Sequence, residues 1–366
     1  DVSVSPDMRF MAVGGDRGTL VVFNAQTGDK IAQLKGHDPK AGQVGAVYSI
    51  AFHPKGELLF SGADDATIRR WSTRTWKEER PAWRAHAPVT AISINPDGSL
   101  LASGGTDKAV TIWEIKDGVR RSEALIGHKK NIAVRGLAFS YDSRRLASAS
   151  YDGTARIWEL NNMKCWRVLS WHTDAVQNVV FSQDGRFIAT CSSDATIMVW
   201  EANSKRPPLR RLRGHQNMVF GLRFVTLPDQ KRESLVSTSL DGTVRLWDVE
   251  SGVPLRVLQG PKTGINGLAL FNGNGSNELP SEGLVVFSVS NGGKVWHWNI
   301  ESSSLRRIAM PTEPTSAAIS PTGKIVSVGF SDGSLRVLDM ANGKVLSENT
   351  DKHKGDIQRL SGSALN

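Results

Sequence analysis

Cysteine is nearly missing from this sequence: Cys165 and Cys191 are the only two in 366 residues. Two thiols cannot staple a chain of this length, and no metal-ligand spacing surrounds them. That excludes a disulfide scaffold and a zinc module, and leaves two reduced, partly buried thiols in a reducing compartment. Long apolar runs are missing too. No stretch approaches the roughly 20 residues a membrane helix needs, and nothing at the start reads as a secretory leader. There is no phosphate loop, no metal-ligand cluster and no nucleophile elbow. The glycine-rich "GNGSNE" near Gly273 lacks the strand-glycine-helix setting of a dinucleotide site and reads as a polar loop. No cofactor or metal is therefore expected. Acidic side chains are also in deficit. Lys and Arg number 45 against 36 Asp and Glu, a formal net charge of +9. Such a balance favours acidic proteins or nucleic acid as partners without specifying either. The first residue is Asp1 rather than Met, which points to a piece of a longer chain.

What the sequence does have is a repeat. "DDATIRRW" ends at Trp71, "TDKAVTIW" at Trp113, "YDGTARIW" at Trp158, "SDATIMVW" at Trp200 and "LDGTVRLW" at Trp247. Weaker copies end at Phe23, Trp298 and Leu338. Consecutive end positions average 45 residues apart. That period, with no helical periodicity inside it, signals short antiparallel strands arranged in radial blades. Each unit reads as four strands. The first carries an apolar triplet with small residues between, such as Val134-Leu137-Phe139 or Val176-Val179-Phe181, the pattern of a strand covered on both faces. A turn such as "NPDG" or "SQDG" follows, in which Pro sets φ, Asp bonds its own backbone and Gly tolerates positive φ. The densest basic stretch, "KRPPLRRLRGH" from Lys205 to His215, lacks aromatics for base stacking. It reads as an outer edge strand whose charges and prolines block sheet-to-sheet pairing.

These units resemble the WD40-repeat family over nearly the whole chain. The resemblance implies an all-β propeller of eight four-stranded antiparallel blades, with seven blades plus an extra repeat as the alternative. It implies one domain over 1–366, a fragment of a longer chain, with 353–366 as the start of a further repeat or a linker.

Five units also share one polar set: His37/Ser61/Asp65/Trp71, His86/Ser103/Asp107/Trp113, His128/Ser148/Asp152/Trp158, His172/Thr190/Asp194/Trp200 and His215/Ser237/Asp241/Trp247. Serine, histidine and aspartate together invite a catalytic reading. One exposed nucleophile with an oxyanion hole would be needed for that, and five copies, each walled by a Trp, are wrong for it. In WD40 proteins this set forms a buried chain from indole N–H to hydroxyl to imidazole to carboxylate. The donor and acceptor inventory of those groups suits such a chain. The set fails in unit 1 (Val13, Arg17, Phe23), unit 7 (Gly292 in place of the aspartate) and unit 8 (Val328, Leu338), one contiguous arc of a closed ring.

The family also implies where partners meet the propeller: beside the first residue of each inner strand, and just before the turn aspartate. Carried over by position, the candidates are Tyr48, Asp64, Arg135, Tyr151, Gln177, Met218, Phe220 and Leu240. Aromatic, Met and Arg side chains around a channel mouth have the composition of an interface core. Met218 and Phe220 have the alternative of filling the channel wall. The reading is a non-catalytic scaffold that docks an acidic protein or peptide on its top face, inside the cell in cytoplasm or nucleus. Other domains of the same parent chain are expected partners too, and no membrane. Two rivals stand beside it: a ligand-sensing domain of a STAND-type signalling NTPase, and an RNA-processing scaffold.

Overall fold

The structure is a computed structural model of residues 1–366. It describes the chain outside 8, 16–17, 26–28, 38–44, 122–123, 130–131, 227–232, 261–263, 272–284, 291–293, 300–303, 310–313, 320–324, 331–334, 340–343 and 350–366. The inserted loops at 38–44, 227–232 and 272–284, the end segment 353–366, and Arg17 and Gly292 lie outside the described residues.

Eight four-stranded antiparallel sheets follow one another along the chain, each a meander of consecutive strands. Their inner strands are Val2–Val4, Val47–Phe52, Val89–Ile94, Val134–Phe139, Val176–Phe181, Val219–Thr226, Ile265–Phe271 and Pro314–Ile319. Each inner strand lies beside the next, and Val2–Val4 lies beside both Val47–Phe52 and Pro314–Ile319, so the ring closes at eight. The first repeat therefore forms a blade of its own, in which Val4, Val21 and Phe23 are buried.

Apolar side chains between neighbouring sheets form the core. Ala147, Ala149 and Ile157 of blade 4 pack against Val179, Ile188 and Trp200 of blade 5. Trp158, Trp200 and Trp247 are among the largest fully buried side chains. Burying one such ring is worth several kcal/mol of transfer free energy, so the repeated Trp is a packing element first.

Among the described residues, no sheet mixes strands from the two chain ends. The seam between blades 8 and 1 is closed by side chains: Val4, Met11, Val13, Val21 and Phe23 pack with Ile325 and Val337. Blade 1 is tied to blade 2 through Asp1, whose Oδ2 accepts from Ile50 N at 2.7 Å.

The basic segment lies on the outer edge of blade 5, with Arg210–Leu212 as the outer strand. Its approach is clamped to blade 4. Arg167 donates to the carbonyls of Ser204 and Arg206. Arg145 and Lys205 both lie over the Trp166 ring, at 4.2 Å and 5.7 Å from its centroid. Both cysteines are free. Cys191 is buried, but Cys165 is exposed, contrary to the partly buried pair expected, because it lies on the solvent-facing outer strand Lys164–Leu169.

Candidate functional site

Near its start the inner strand of blades 2 and 4 to 8 carries a register shift. The shift falls between Val47 and Ser49, Val134 and Gly136, Val176 and Asn178, Val219 and Gly221, Ile265 and Gly267, and Pro314 and Ser316. The skipped residue is Tyr48, Arg135, Gln177, Phe220, Asn266 or Thr315. In blade 3 the shift skips Thr90. A bulge leaves one residue out of the ladder and re-aims its side chain. So Tyr48, Arg135, Gln177 and Phe220, four of the family-implied positions, are bulge residues at one end of the ring.

A second recurrent bond gathers the other candidates there. The residue before the turn aspartate donates its N–H to the residue before the inner strand: Asp64 to Ala46, Tyr151 to Ala133, Ser193 to Ala175, Leu240 to Met218. Of these candidates, Tyr48, Asp64, Arg135, Met218, Phe220 and Leu240 are half-buried, and Tyr151 is exposed. Arg135 lies over the Tyr151 ring, its Cζ 5.3 Å from the centroid. Asp64 is held by Gly45 N at 3.3 Å. Gln177 departs from the expected docking set. It is 3% exposed, and its amide donates to Ser193 Oγ at 2.8 Å. Its bulge turns it towards the turn of its own blade, so it braces that turn and presents no contact surface.

The polar set assembles in four blades. In blade 4, Trp158 Nε1–H donates to Ser148 Oγ at 2.9 Å, Ser148 Oγ lies 2.8 Å from His128 Nε2, and His128 Nδ1 lies 3.0 Å from Asp152. Indole only donates, so the hydroxyl hydrogen goes to Nε2, and a neutral imidazole then offers Nδ1–H to the carboxylate. Blades 2, 5 and 6 repeat this arrangement. Ser61 accepts from Trp71 at 2.9 Å and lies 2.7 Å from His37 Nε2. Thr190 accepts from Trp200 at 3.1 Å and lies 2.9 Å from His172 Nε2. Ser237 accepts from Trp247 at 2.8 Å and lies 2.8 Å from His215 Nε2. The three imidazoles reach Asp65, Asp194 and Asp241 at 2.9–3.1 Å. Ser61, Ser148, Thr190 and Ser237 are all 0% exposed. Their hydroxyls are therefore closed to any substrate or partner from solvent, and they act only as relays inside the blade.

A fifth member was not foreseen. Thr67, Thr154, Thr196 and Thr243 each donate Oγ1–H to the same aspartate, at 2.6–2.7 Å. The signal was available as Asp-x-Thr in four copies of the repeat.

Burial works against ionising Asp152, Asp194 and Asp241. Hydrogen bonds from the histidine, the threonine and the backbone outweigh it, and hold all three carboxyls well below the ordinary carboxylate range. Asp65 is lowered for the same reasons. Burial also pushes His215 below the ordinary histidine value, against the pull of Asp241.

Blade 3 corrects the expected fifth set. Trp113 donates to Ser103 at 2.8 Å, but His86 is exposed, and its Nε2 accepts from Arg120 at 2.7 Å. Two residues separate His86 from Val89, where three separate His172 from Val176 and His215 from Val219. The shorter loop does not carry the ring inward. Ala109 stands where the other blades have threonine. Asp107 accepts from Ala109 N at 3.2 Å, its sole hydrogen bond among the described residues.

Comparison with known proteins agrees with this architecture. The WD40 family model (WD domain, G-beta repeat) matches residues 28–72, 78–114, 120–159, 163–201 and 206–248, more than half of the chain. The chain is 27% identical over 254 residues to apoptotic protease-activating factor 1 of Danio rerio, covering 69% of this chain and 19% of that protein. It is 44% identical over 66 residues to pre-mRNA-processing factor 19 of Mus musculus, covering 18% and 12%. To serine-threonine kinase receptor-associated protein of Homo sapiens it is 32% identical over 71 residues, covering 19% of each. The chain thus spans a fifth or less of the length of these relatives. Among solved structures, the computationally designed Ika8 protein superposes with a TM-score of 0.72 at 25% identity, over 91% of this chain and 93% of that one. WD40 propellers bind protein partners and generally serve as non-catalytic scaffolds. With its eight four-stranded blades, its five matched repeats and its recurring tryptophan-to-aspartate set, this chain belongs to the WD40-repeat family.

Proposed function

We propose that the propeller is a non-catalytic docking module, taking an acidic protein or peptide at the bulge-lined mouth of its channel inside the cell. The observation that carries this is Arg135 over Tyr151. A cation held on an aromatic face at a half-buried mouth is pre-organised for a carboxylate, and Arg and Tyr are the residue types that dominate interface energies. Tyr48, Met218, Phe220 and Leu240 supply apolar contact around it. The His-Asp sets lie beneath and hold the turns, so the surface above loses little freedom on binding.

Capture of the partner from cell extract by wild type, Arg135→Ala and Phe220→Ala tests it. Each substitution should weaken capture by about 2 kcal/mol or more. Equal capture by both variants would move docking to another face. RNA in the captured material, lost steeply with added salt, would favour the RNA-scaffold reading instead.

A second reading has its own support. The Danio rerio relative matches 69% of this chain with 19% of its own length, which suits a sensing domain of a larger signalling protein. Under that reading the same mouth receives the signal.

A further inference from the structure

Blade 3 has a cavity of about 520 Å³ beside its turn, lined by His86, Asp107, Lys108, Arg120, Ala124 and Ile126 among others. Two departures from the other four sets coincide with it: His86 is exposed instead of held inward, and Ala109 stands in place of the threonine. The lining differs from its counterparts in charge. Lys108 occupies the turn position filled by Ala66, Gly153, Ala195 and Gly242 in the other sets. It does so at φ 68°, a region that long side chains seldom adopt. Arg120 is fixed in place: its guanidinium carbon lies 5.0 Å from the Trp113 ring centroid, and it donates to Arg84 O and to His86 Nε2. Because His86 accepts that bond, its other ring nitrogen carries the hydrogen.

We propose that this cavity is a binding site for an anionic side chain, a carboxylate or phosphate, presented by a partner peptide. Its described lining residues carry three kinds of donor: the Lys108 ammonium, the N–H groups Arg120 has left over, and His86 Nδ1–H. Among the described lining residues, Lys108 and Arg120 carry two positive charges against the one negative charge of Asp107. A charge-assisted bond to a guanidinium or ammonium is the strong kind, and a guanidinium already held in place loses less freedom in making it. Ile126, 65% exposed, and Ala124 line the apolar side against which the stem of such a side chain rests. The inference rests on the docking reading above and adds a second contact point, on the rim rather than at the mouth.

The test is a titration of the chain with N-acetylphosphoserine amide, N-acetylglutamate amide and, as control, N-acetylserine amide, following the ring resonances of His86. The His86→Gln variant assigns them. A saturable shift with the phosphoserine or the glutamate probe, and none with serine, is expected; whichever probe saturates names the anion. Lys108→Gly should weaken binding about tenfold, one charge-assisted contact, while the turn keeps its shape because glycine prefers that φ. No saturable shift with either anion, or equal affinity in Lys108→Gly, overturns the proposal. If Arg135→Ala still weakens partner capture in that event, the docking reading stands and only this site falls.

Discussion

In blade 3 the Arg120 guanidinium donates to Nε2 of His86 at 2.7 Å. In the other four sets that same ring atom faces a buried hydroxyl, from Ser61, Ser148, Thr190 or Ser237. One repeated residue thus has two uses, and the energetic consequences differ. Ser148→Ala removes the partner of both Trp158 and His128. It should cost about 1–3 kcal/mol for each buried group left unsatisfied. Ser103→Ala orphans the Trp113 indole alone and should cost less. Denaturant midpoints of the two variants check the order, and equal losses would mean that His86 turns inward in solution.

Hydrogen exchange should show the same asymmetry. The indole N–H groups of Trp71, Trp158, Trp200 and Trp247 sit at the end of satisfied buried networks, which rigidify their surroundings. The Trp113 indole should exchange faster than all four, because its hydroxyl acceptor has no imidazole behind it. Protection of Trp113 equal to that of Trp158 would contradict the account.

Acid should weaken the fold in two stages. Burial lowers His215 in the folded state, so the unfolded chain takes up its proton first. That contribution is present above the ordinary value of 6.5 and lost as pH falls below it. The carboxyls of Asp152, Asp194 and Asp241 are lowered on folding. Their contribution is intact above the ordinary value of 3.8 and is lost as pH falls further. Denaturation midpoints should therefore decline gently below about pH 6.5 and steeply below about pH 4. The upper limb should flatten in His215→Gln. A midpoint that rises on acidification would reverse these signs.

The seam gives a packing prediction. Phe23 is 1% exposed among Val21, Ile325 and Val337. Phe23→Ala should cost about 3–5 kcal/mol, as for other buried aromatics. Exchange in blades 1 and 8 should rise with it, since side-chain packing closes the ring there. A loss below about 1 kcal/mol would mean that the seam has a further tie.

The eight blades were legible because one period governs the whole chain: six copies end in Trp, and Phe23 and Leu338 hold that place in the first and last. The four assembled sets were legible for the same reason: a serine or threonine ten residues and an aspartate six residues before each Trp leave the side chains little choice. His86 shares residue type with the other four histidines but not the length of the loop that follows it, and loop length decides where the ring goes. The missing residue before Val89 and the Ala at position 109 were both visible as departures. Which bulge residues face outward was not legible. Gln177 and Arg135 hold equivalent positions, but Gln177 reaches Ser193 of its own turn, while Arg135 lies across Tyr151. That difference is decided by the neighbour each side chain meets, and pattern alone does not specify it.

On the proposed docking reading two kinds of residue separate: the buried set holds the turns, and Arg135 and its neighbours serve binding instead of stability. Equilibrium denaturation of Asp152→Ala and Arg135→Ala, measured side by side, tests this most directly. Asp152→Ala should lower stability by about 1–3 kcal/mol, through the unpaired His128. Arg135→Ala should stay within about 0.5 kcal/mol of wild type, because the half-buried side chain makes no hydrogen bond among the described residues and gives up a contact with the exposed Tyr151 ring. An unchanged midpoint in Asp152→Ala, or an equal loss in Arg135→Ala, would contradict the account.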